Sequence, residues 1–506
     1  EDIGPTTEDD TMIMAIVSSP DTIARLEYYK GLQKKLADPR GLSAEELEKL
    51  KSEAKTVFFV NTAGHSTEVG GVHALTNVLY RLGTSDDAEV AEILENTIVL
   101  IVPTLNPDGH DMVANWYRDT LGTEFEGTNQ PWLYARYCGH DNNRDWFMFN
   151  LQESRNIGKI LYQEWFPEII YDIHQMGSDG ARFFIPPFFD PPNWEIDPLI
   201  LRQIMLLGGA ATTELCAQGM SGVCSNAIYD TWWHGGMRSA PYYHNMVGLL
   251  TEAASVKLAT PITVEKPSGA RRGLADPNEF LTNNPDPWPG GEWRLGDIVA
   301  YEEATVFSFL KTAARYRDMF INNFVLMGQK AVTKGEKEAP FAFVIPADQS
   351  DPATVAKMLE ILSFQGTEIH QARMAFKADG KTYPAGSYVI KTQQPYRANV
   401  IALLDTQTYP DRLEYPGGPA ERPYDVAGWT LPYQMGVECV RVVNKFTAEL
   451  EPVDEITPPA GSVVKGNAAF GYAFGPEMNN AVTARLRLLE KGFDLKWAKE
   501  EFATAD

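Results

Sequence analysis

Thr56–Glu68 reads TVFFVNTAGHSTE. Its first part, Thr56–Asn61, is apolar or β-branched without alternation, the pattern of a strand covered on both faces. Polar residues follow at once: Gly64, His65, Ser66, Thr67 and Glu68. A helix-like segment, Gly70–Leu82 (GGVHALTNVLYRL), comes next. Three other runs repeat the scheme. Thr97–Leu105 (TIVLIVPTL) leads into Asn106-Pro107-Asp108-Gly109, Pro167–Ile173 (PEIIYDI) into His174, and Val247–Leu250 (VGLL) into Thr251-Glu252. Helix-like segments Leu151–Trp165 and Leu199–Cys216 lie between them. Strands alternating with helices predict an α/β fold with a mixed, largely parallel central sheet flanked by helices.

The polar groups all stand where a strand ends. In open α/β sheets, ligands bind outside the carboxyl ends of the strands. His65, Glu68, His174 and Glu252 would therefore meet at one edge. Two imidazoles and a carboxylate make three of the four bonds of a tetrahedral zinc site, leaving the last open to water. The metal brings that water's pKa to roughly 7. A carboxylate that does not bind the metal is then needed to move the proton, and Glu252 is placed for it. A cation is wanted where negative charge develops, and Arg118 and Arg136 lie between the motifs.

In order and spacing these residues resemble the zinc carboxypeptidases, over about residues 12–326. The family's His-x-x-Glu pair matches His65 and Glu68, and its distant third ligand matches His174, 106 residues after Glu68. Its Asn-Pro-Asp-Gly turn stands intact at Asn106–Gly109, and its Asp-x-Asn-Arg-Asn segment appears as Asp141-Asn142-Asn143-Arg144-Asp145. The resemblance implies one zinc ion per chain, Glu252 as general base and Arg118 as the carbonyl-polarising arginine. It also implies that Asn143 and Arg144 hold a peptide's terminal carboxylate, a task that suits a planar guanidinium. Two positions depart from the pattern. Where the family carries a mobile Tyr before the base, the chain has Trp233 and His234, and His234 is the candidate donor. Asp145 stands where the family has Asn, setting an acid beside the expected carboxylate site. Met237, near the family's specificity position, hints at no preference for basic side chains.

A lone His-x-x-Glu is commonly a surface helix feature, and a lone His a satisfied core residue; it is their common register that argues for chemistry. Peptide-bond hydrolysis with removal of C-terminal residues is the function expected. The alternatives are a zinc amidase or deacylase acting on cell-wall or other non-standard peptides, and a non-catalytic peptide-binding pseudoenzyme.

The remaining sequence sets bounds. The 506 residues suffice for two or three domains. A catalytic domain is expected over residues 1–327, a Lys-, Glu- and Gly-rich linker over 328–340, and a smaller accessory α/β domain over 341–506. In the accessory domain Phe341–Ile345, Gly386–Lys391 and Asn399–Leu404 read as strands, Pro352–Phe364 and Ala481–Lys491 as helices. Pro261–Gly291 reads as a long surface excursion, and a helix is expected to carry Phe309, Ala313, Tyr316, Phe320 and Phe324 on one face. Acidic residues outnumber basic ones 68 to 44, a net charge of −24 that disfavours nucleic acid and anionic lipid as partners. A peptide or protein substrate is the expected partner, and no membrane span is expected. Four cysteines are too few for a disulfide scaffold, and Cys216 and Cys224 read equally as a bridge or as two thiols. The opening residues read as a processed or trimmed end, and family habit implies a secreted or periplasmic location.

Overall fold

The computed structural model describes residues 1–135, 138, 141–425, 428–463 and 471–502. The four apolar runs are neighbouring strands of one seven-stranded sheet. In chain order its strands are Ala15–Val17 (β1), Thr56–Thr62 (β2), Thr97–Val102 (β3), Ile169–Met176 (β4), Phe183–Phe184 (β5), Val223–Cys224 (β6) and Val247–Ala254 (β7). In space they run β1-β3-β2-β4-β7-β5-β6. The pairs β2/β3, β2/β4 and β4/β7 are parallel, whereas β1 lies antiparallel on β3 and β5 antiparallel on β7. The fold is thus the expected mixed, largely parallel α/β sheet flanked by helices.

Every residue of β2, β3 and β7 is buried, which is why those runs show no alternation in sequence. The alternation is there in three dimensions. Phe58, Val60, Val99, Ile101, Tyr171 and Ile173 face one apolar core, and Val57, Phe59, Ile98, Leu100 and Ile170 the other. Each such side chain contributes about 1.5–3 kcal/mol when fully buried, so the polar residues are driven to the strand ends. On the first face pack Gly70–Thr84 (α1), Pro198–Ala217 (α3) and Leu295–Arg315 (α4); Pro107–Thr120 (α2) starts beside the strand ends, and Arg317–Lys337 (α5) adds Ile321, Phe324 and Val325 to the second core. α1 begins against β2 because Gly71 has no Cβ, an atom that would lie 2.0 Å from Thr62 Oγ1. The helix can therefore follow directly on the His65–Glu68 turn.

Several expectations are corrected. Asn399–Leu404 lies in a helix, Arg397–Leu404, buried on all sides; a short helix apolar all round has the same signature as a buried strand. The helix expected around Phe309–Phe324 is two, with a break at Tyr316 between α4 and α5. Most of the expected linker, 328–340, is helical, since α5 continues to Lys337 and buries Gly328 and Gly335. The excursion after Pro261 is closed at its base by Ile262–Val264 pairing with Gly291–Trp293. α3 is long and apolar enough to cross a membrane by length and composition, and it packs Ile200, Ile204, Leu207, Ala211 and Leu215 into the first core. Cys216 and Cys224 do not form a bridge.

The chain forms two compact units. One comprises residues 1–338, 364–367 and 392–429, the other 339–363, 368–391 and 430–506. The second has a five-stranded sheet in which Ala342–Ile345 pairs with Tyr388–Lys391 and Val440–Val442, and His370–Ala372 with Tyr388–Lys391 and Leu450–Pro452, all antiparallel. Helix Pro352–Phe364 buries Val355, Met358, Leu359, Ile361 and Leu362, and helix Asn479–Glu490 buries none of its residues.

Candidate active site

His65 and Glu68 occupy the turn between β2 and α1, and His174 the end of β4. One ligand atom from each of the three lies within 4.8 Å of the others. Glu68 holds them together: Oε1 meets His65 Nδ1 at 2.8 Å, and Oε2 meets His174 Nδ1 at 2.9 Å and accepts the Gln175 N–H at 2.9 Å. The far side of each ring is fixed by another carboxylate. His65 Nε2 meets Asp141 Oδ1 at 2.8 Å, and His174 Nε2 meets Asp172 Oδ2 at 2.6 Å. With Nε2–H donated to those acids, loss of the Nδ1 protons would turn both Nδ1 lone pairs to the centre, the ring orientation that second carboxylates give to metal-binding histidines. A His, Glu and His donor set converging in this way fits zinc.

The charges agree. Burial alone would lower the His65 pKa, but Glu68 and Asp141 carry it up to about 10. Burial likewise opposes charge on His174, which Asp172 and Glu68 raise well above the ordinary value. Glu68 is pulled down to about 2 by the two imidazoles, against the effect of burial. A divalent cation would take the place of the protons these groups otherwise hold.

Glu252 stands opposite His174 in the β4/β7 register. Burial, reinforced by Glu68 and opposed by His174, raises its pKa to about 7. The Tyr229 side chain, on strand Ala227–Thr231, lies close enough to Glu252 that burial, and after it that carboxylate, raises the phenol's pKa well above its ordinary value. Tyr229 thus stands where a donor was expected at Trp233 or His234. Glu302 on α4 lies fully buried nearby, neither oxygen hydrogen-bonded among the described residues, and burial with Glu68 close by raises it well above the carboxylate range.

Four expected residues fall elsewhere. Asn143 is buried, with Nδ2 3.2 Å from Asp172 and 3.0 Å from His174 Nε2, and Oδ1 accepting the Met237 N–H at 2.9 Å. Its amide is turned toward the His174–Asp172 pair and the Met237 N–H. His234 is fully buried, with Nε2 3.0 Å from Asn399 Oδ1, and burial lowers its pKa to about 3; it is a packed neutral ring. Arg118 is exposed near the end of α2 and bonds Asn115 at 3.1 Å. α2 starts beside the cluster, where Ser66 Oγ donates to the Asn106 carbonyl, and a rise of about 1.5 Å per residue carries Arg118 roughly 16 Å along the axis. Met237 is buried in the second core. Arg136 lies outside the described residues.

Asp145 is turned away from the cluster, its carboxylate accepting the Asn150 and Leu151 N–H groups at 3.0 and 2.9 Å. Arg144 donates from Nε to Asp425 at 2.6 Å and lies 3.3 Å from Asp141 through Nη1. Burial would lower its pKa, and Asp141 and Asp425 raise it.

Residues 1–163 match the family model for zinc carboxypeptidases. That stretch holds His65 and Glu68 of the cluster and ends before His174 and Glu252. No curated protein matches the chain. Solved structures similar to it include a metallo-carboxypeptidase from Burkholderia cenocepacia, with 14% identity and a TM-score of 0.39, covering 62% of this chain and 64% of that one. A metallo-carboxypeptidase from Pseudomonas aeruginosa has 14% identity and a TM-score of 0.39, covering 63% and 64%. The carboxypeptidase A of Helicoverpa armigera has 14% identity and a TM-score of 0.37, covering 63% and 68%. The chain thus spans about 64% of the length of the first two metallo-carboxypeptidases.

Proposed function

We propose that the protein is a zinc-dependent metallopeptidase that hydrolyses amide bonds in peptides. The observation that carries this reading is the convergence of His65, Glu68 and His174 within 4.8 Å, with Glu252 beside them. A zinc ion held there would supply a Lewis acid that polarises a carbonyl and lowers the pKa of water. Glu252 takes the proton of the attacking water and passes it to the leaving amine. A base with a pKa near 7 is matched to that exchange at neutral pH. Asp141 and Asp172 fix the two rings. Arg144 is the one cation among the described residues tied to the cluster by an ion pair, through Asp141. Removal of C-terminal residues needs Arg144 to receive a carboxylate. Its pairing with Asp425 favours the second reading, an amidase acting on peptides that lack a free carboxylate at that position.

A mixed peptide pool, incubated with the zinc-loaded protein and with a chelator-treated sample, tests the proposal by mass spectrometry. Cleavage in the first sample and none in the second is expected. Products shortened one residue at a time from the C-terminus would identify the exopeptidase, and cuts elsewhere the amidase. An intact pool in both samples would leave a binding module.

A further inference from the structure

Arg144 is the residue on which recognition of a free C-terminus would rest, and its guanidinium is already engaged. Nε donates to Asp425 at 2.6 Å, Nη1 donates to the Asn143 carbonyl at 2.9 Å and lies 3.3 Å from Asp141, and the group sits 5.3 Å above the Trp233 ring. Two carboxylates thus share one guanidinium. A third, brought by a substrate, would enter a corner whose positive charge is spent.

Asp425 is held in place by its surroundings. Its side chain is 12% exposed. The preceding Tyr424 sets its ring edge-on to Tyr229, centroids 5.0 Å apart. The Tyr424 N–H donates to Asp230 Oδ2, which also accepts from Arg272, and Arg272 pairs with Glu421. Trp429 meets Trp233, the ring beneath Arg144. Residues 421–425 are thereby tied to the strand that carries Tyr229, and Asp425 arrives at Arg144 from a fixed backbone. A charge-assisted bond between anchored partners is strong and directional.

We propose that Asp425 is a specificity-determining residue. By occupying Arg144 it excludes substrates with a free α-carboxylate, and the site takes peptides that end there in an amide or continue as chain. The inference rests on the metallopeptidase reading of the His65, Glu68 and His174 cluster. Hydrogen bonds to charged groups are worth enough that freeing Arg144 should favour a carboxylate ligand on the order of tenfold.

The test measures calorimetric binding of N-acetyl-L-phenylalanine and N-acetyl-L-phenylalanine amide to the zinc-loaded full chain. The same pair, as the C-terminal ends of one peptide, is offered for cleavage. Wild type is expected to prefer the amide in both assays. D425N, which keeps the shape and removes the charge, is expected to shift the acid-to-amide ratio about tenfold toward the acid. R144Q/D425N is expected to lose that gain, which separates carboxylate bound at Arg144 from carboxylate bound at the metal. A wild-type preference for the acid that disappears in R144Q, or an unchanged ratio in D425N, would overturn the proposal. If D425N does not fold, the wild-type and R144Q ratios decide. Amide-selective binding without cleavage would sink the peptidase reading and leave Asp425 as a selector of ligands. Efficient cleavage of the free acid would do the reverse.

Discussion

The two sheets of this chain are built from similar residues and differ in direction. In the first unit β2, β3, β4 and β7 run parallel for six to eight residues, so their carboxyl ends share one edge. The apolar runs fill both cores, and His65, Glu68, His174 and Glu252 are left at that edge. In the second unit the strands are three or four residues long and antiparallel, so successive ends fall on opposite sides. Among the described residues, the metal-fitting group of His, Cys, Asp and Glu side chains lies at the edge of the parallel sheet. Parallel direction concentrates polar groups, and antiparallel direction disperses them. Substitutions at the parallel edge are expected to change chemistry, and substitutions in the antiparallel sheet to change stability alone.

The largest effect is expected from E252Q. General acid–base groups contribute about 10²–10⁴-fold to rate, so kcat/KM should fall by that much. Zinc content should stay at that of wild type, since Glu252 is not among the converging ligands. The pH profile sharpens the point. Glu252 acts as a base only when ionised, and burial raises its pKa to about 7. In wild type kcat/KM should therefore fall with decreasing pH below about 7, and this limb should be missing from the residual activity of E252Q. An acid limb that persists in the variant would move the base role to another group.

A smaller effect is expected one bond further out, at Asp172. Its Oδ2 lies 2.6 Å from His174 Nε2 and selects the tautomer that points Nδ1 at the centre. Loss of such a partner costs about 10–100-fold in metal affinity or activity. D172N should weaken zinc by that amount in competition with a chelating indicator, with the thermal midpoint of the zinc-saturated protein little changed. Unaltered affinity would mean that Asp172 does not set the tautomer of His174.

How far the sequence discloses this site follows from the same contrast. A strand buried on both faces announces itself, and the polar residue after it is placed by the fold class alone; His65, Glu68, His174 and Glu252 are legible for that reason. Residue type does not disclose which way a side chain turns. Asn143 and His234 have the chemistry of substrate-binding groups, yet one is turned toward Asp172, His174 and Met237 and the other is packed on Asn399. Arg118 has the right charge on a helix that carries it away. Tyr229 had a signal, a tyrosine on a strand-like stretch shortly before the base, in a region where the eye is drawn to the Trp232-Trp233 pair. Asp425 had none, because it reaches Arg144 across 281 residues of chain. The NVIALL run at Asn399–Leu404 shows the limit for secondary structure, since a buried helix and a buried strand of six residues read alike.

The smallest effect belongs to the antiparallel sheet and tests the other half of the contrast. Ile390 is fully buried on Tyr388–Lys391, the strand paired on both sides by Ala342–Ile345 and His370–Ala372. Ile390→Val removes one methylene and leaves a small void, a change that costs about 0.5–1.5 kcal/mol. Denaturant unfolding should show a loss of that size. Zinc affinity and the dependence of cleavage on pH should match wild type, because no ligand, base or ring-orienting carboxylate lies on that sheet. A change in either would mean that the antiparallel unit acts on the chemistry of the parallel edge, and direction of strands alone would no longer explain where this protein keeps its function.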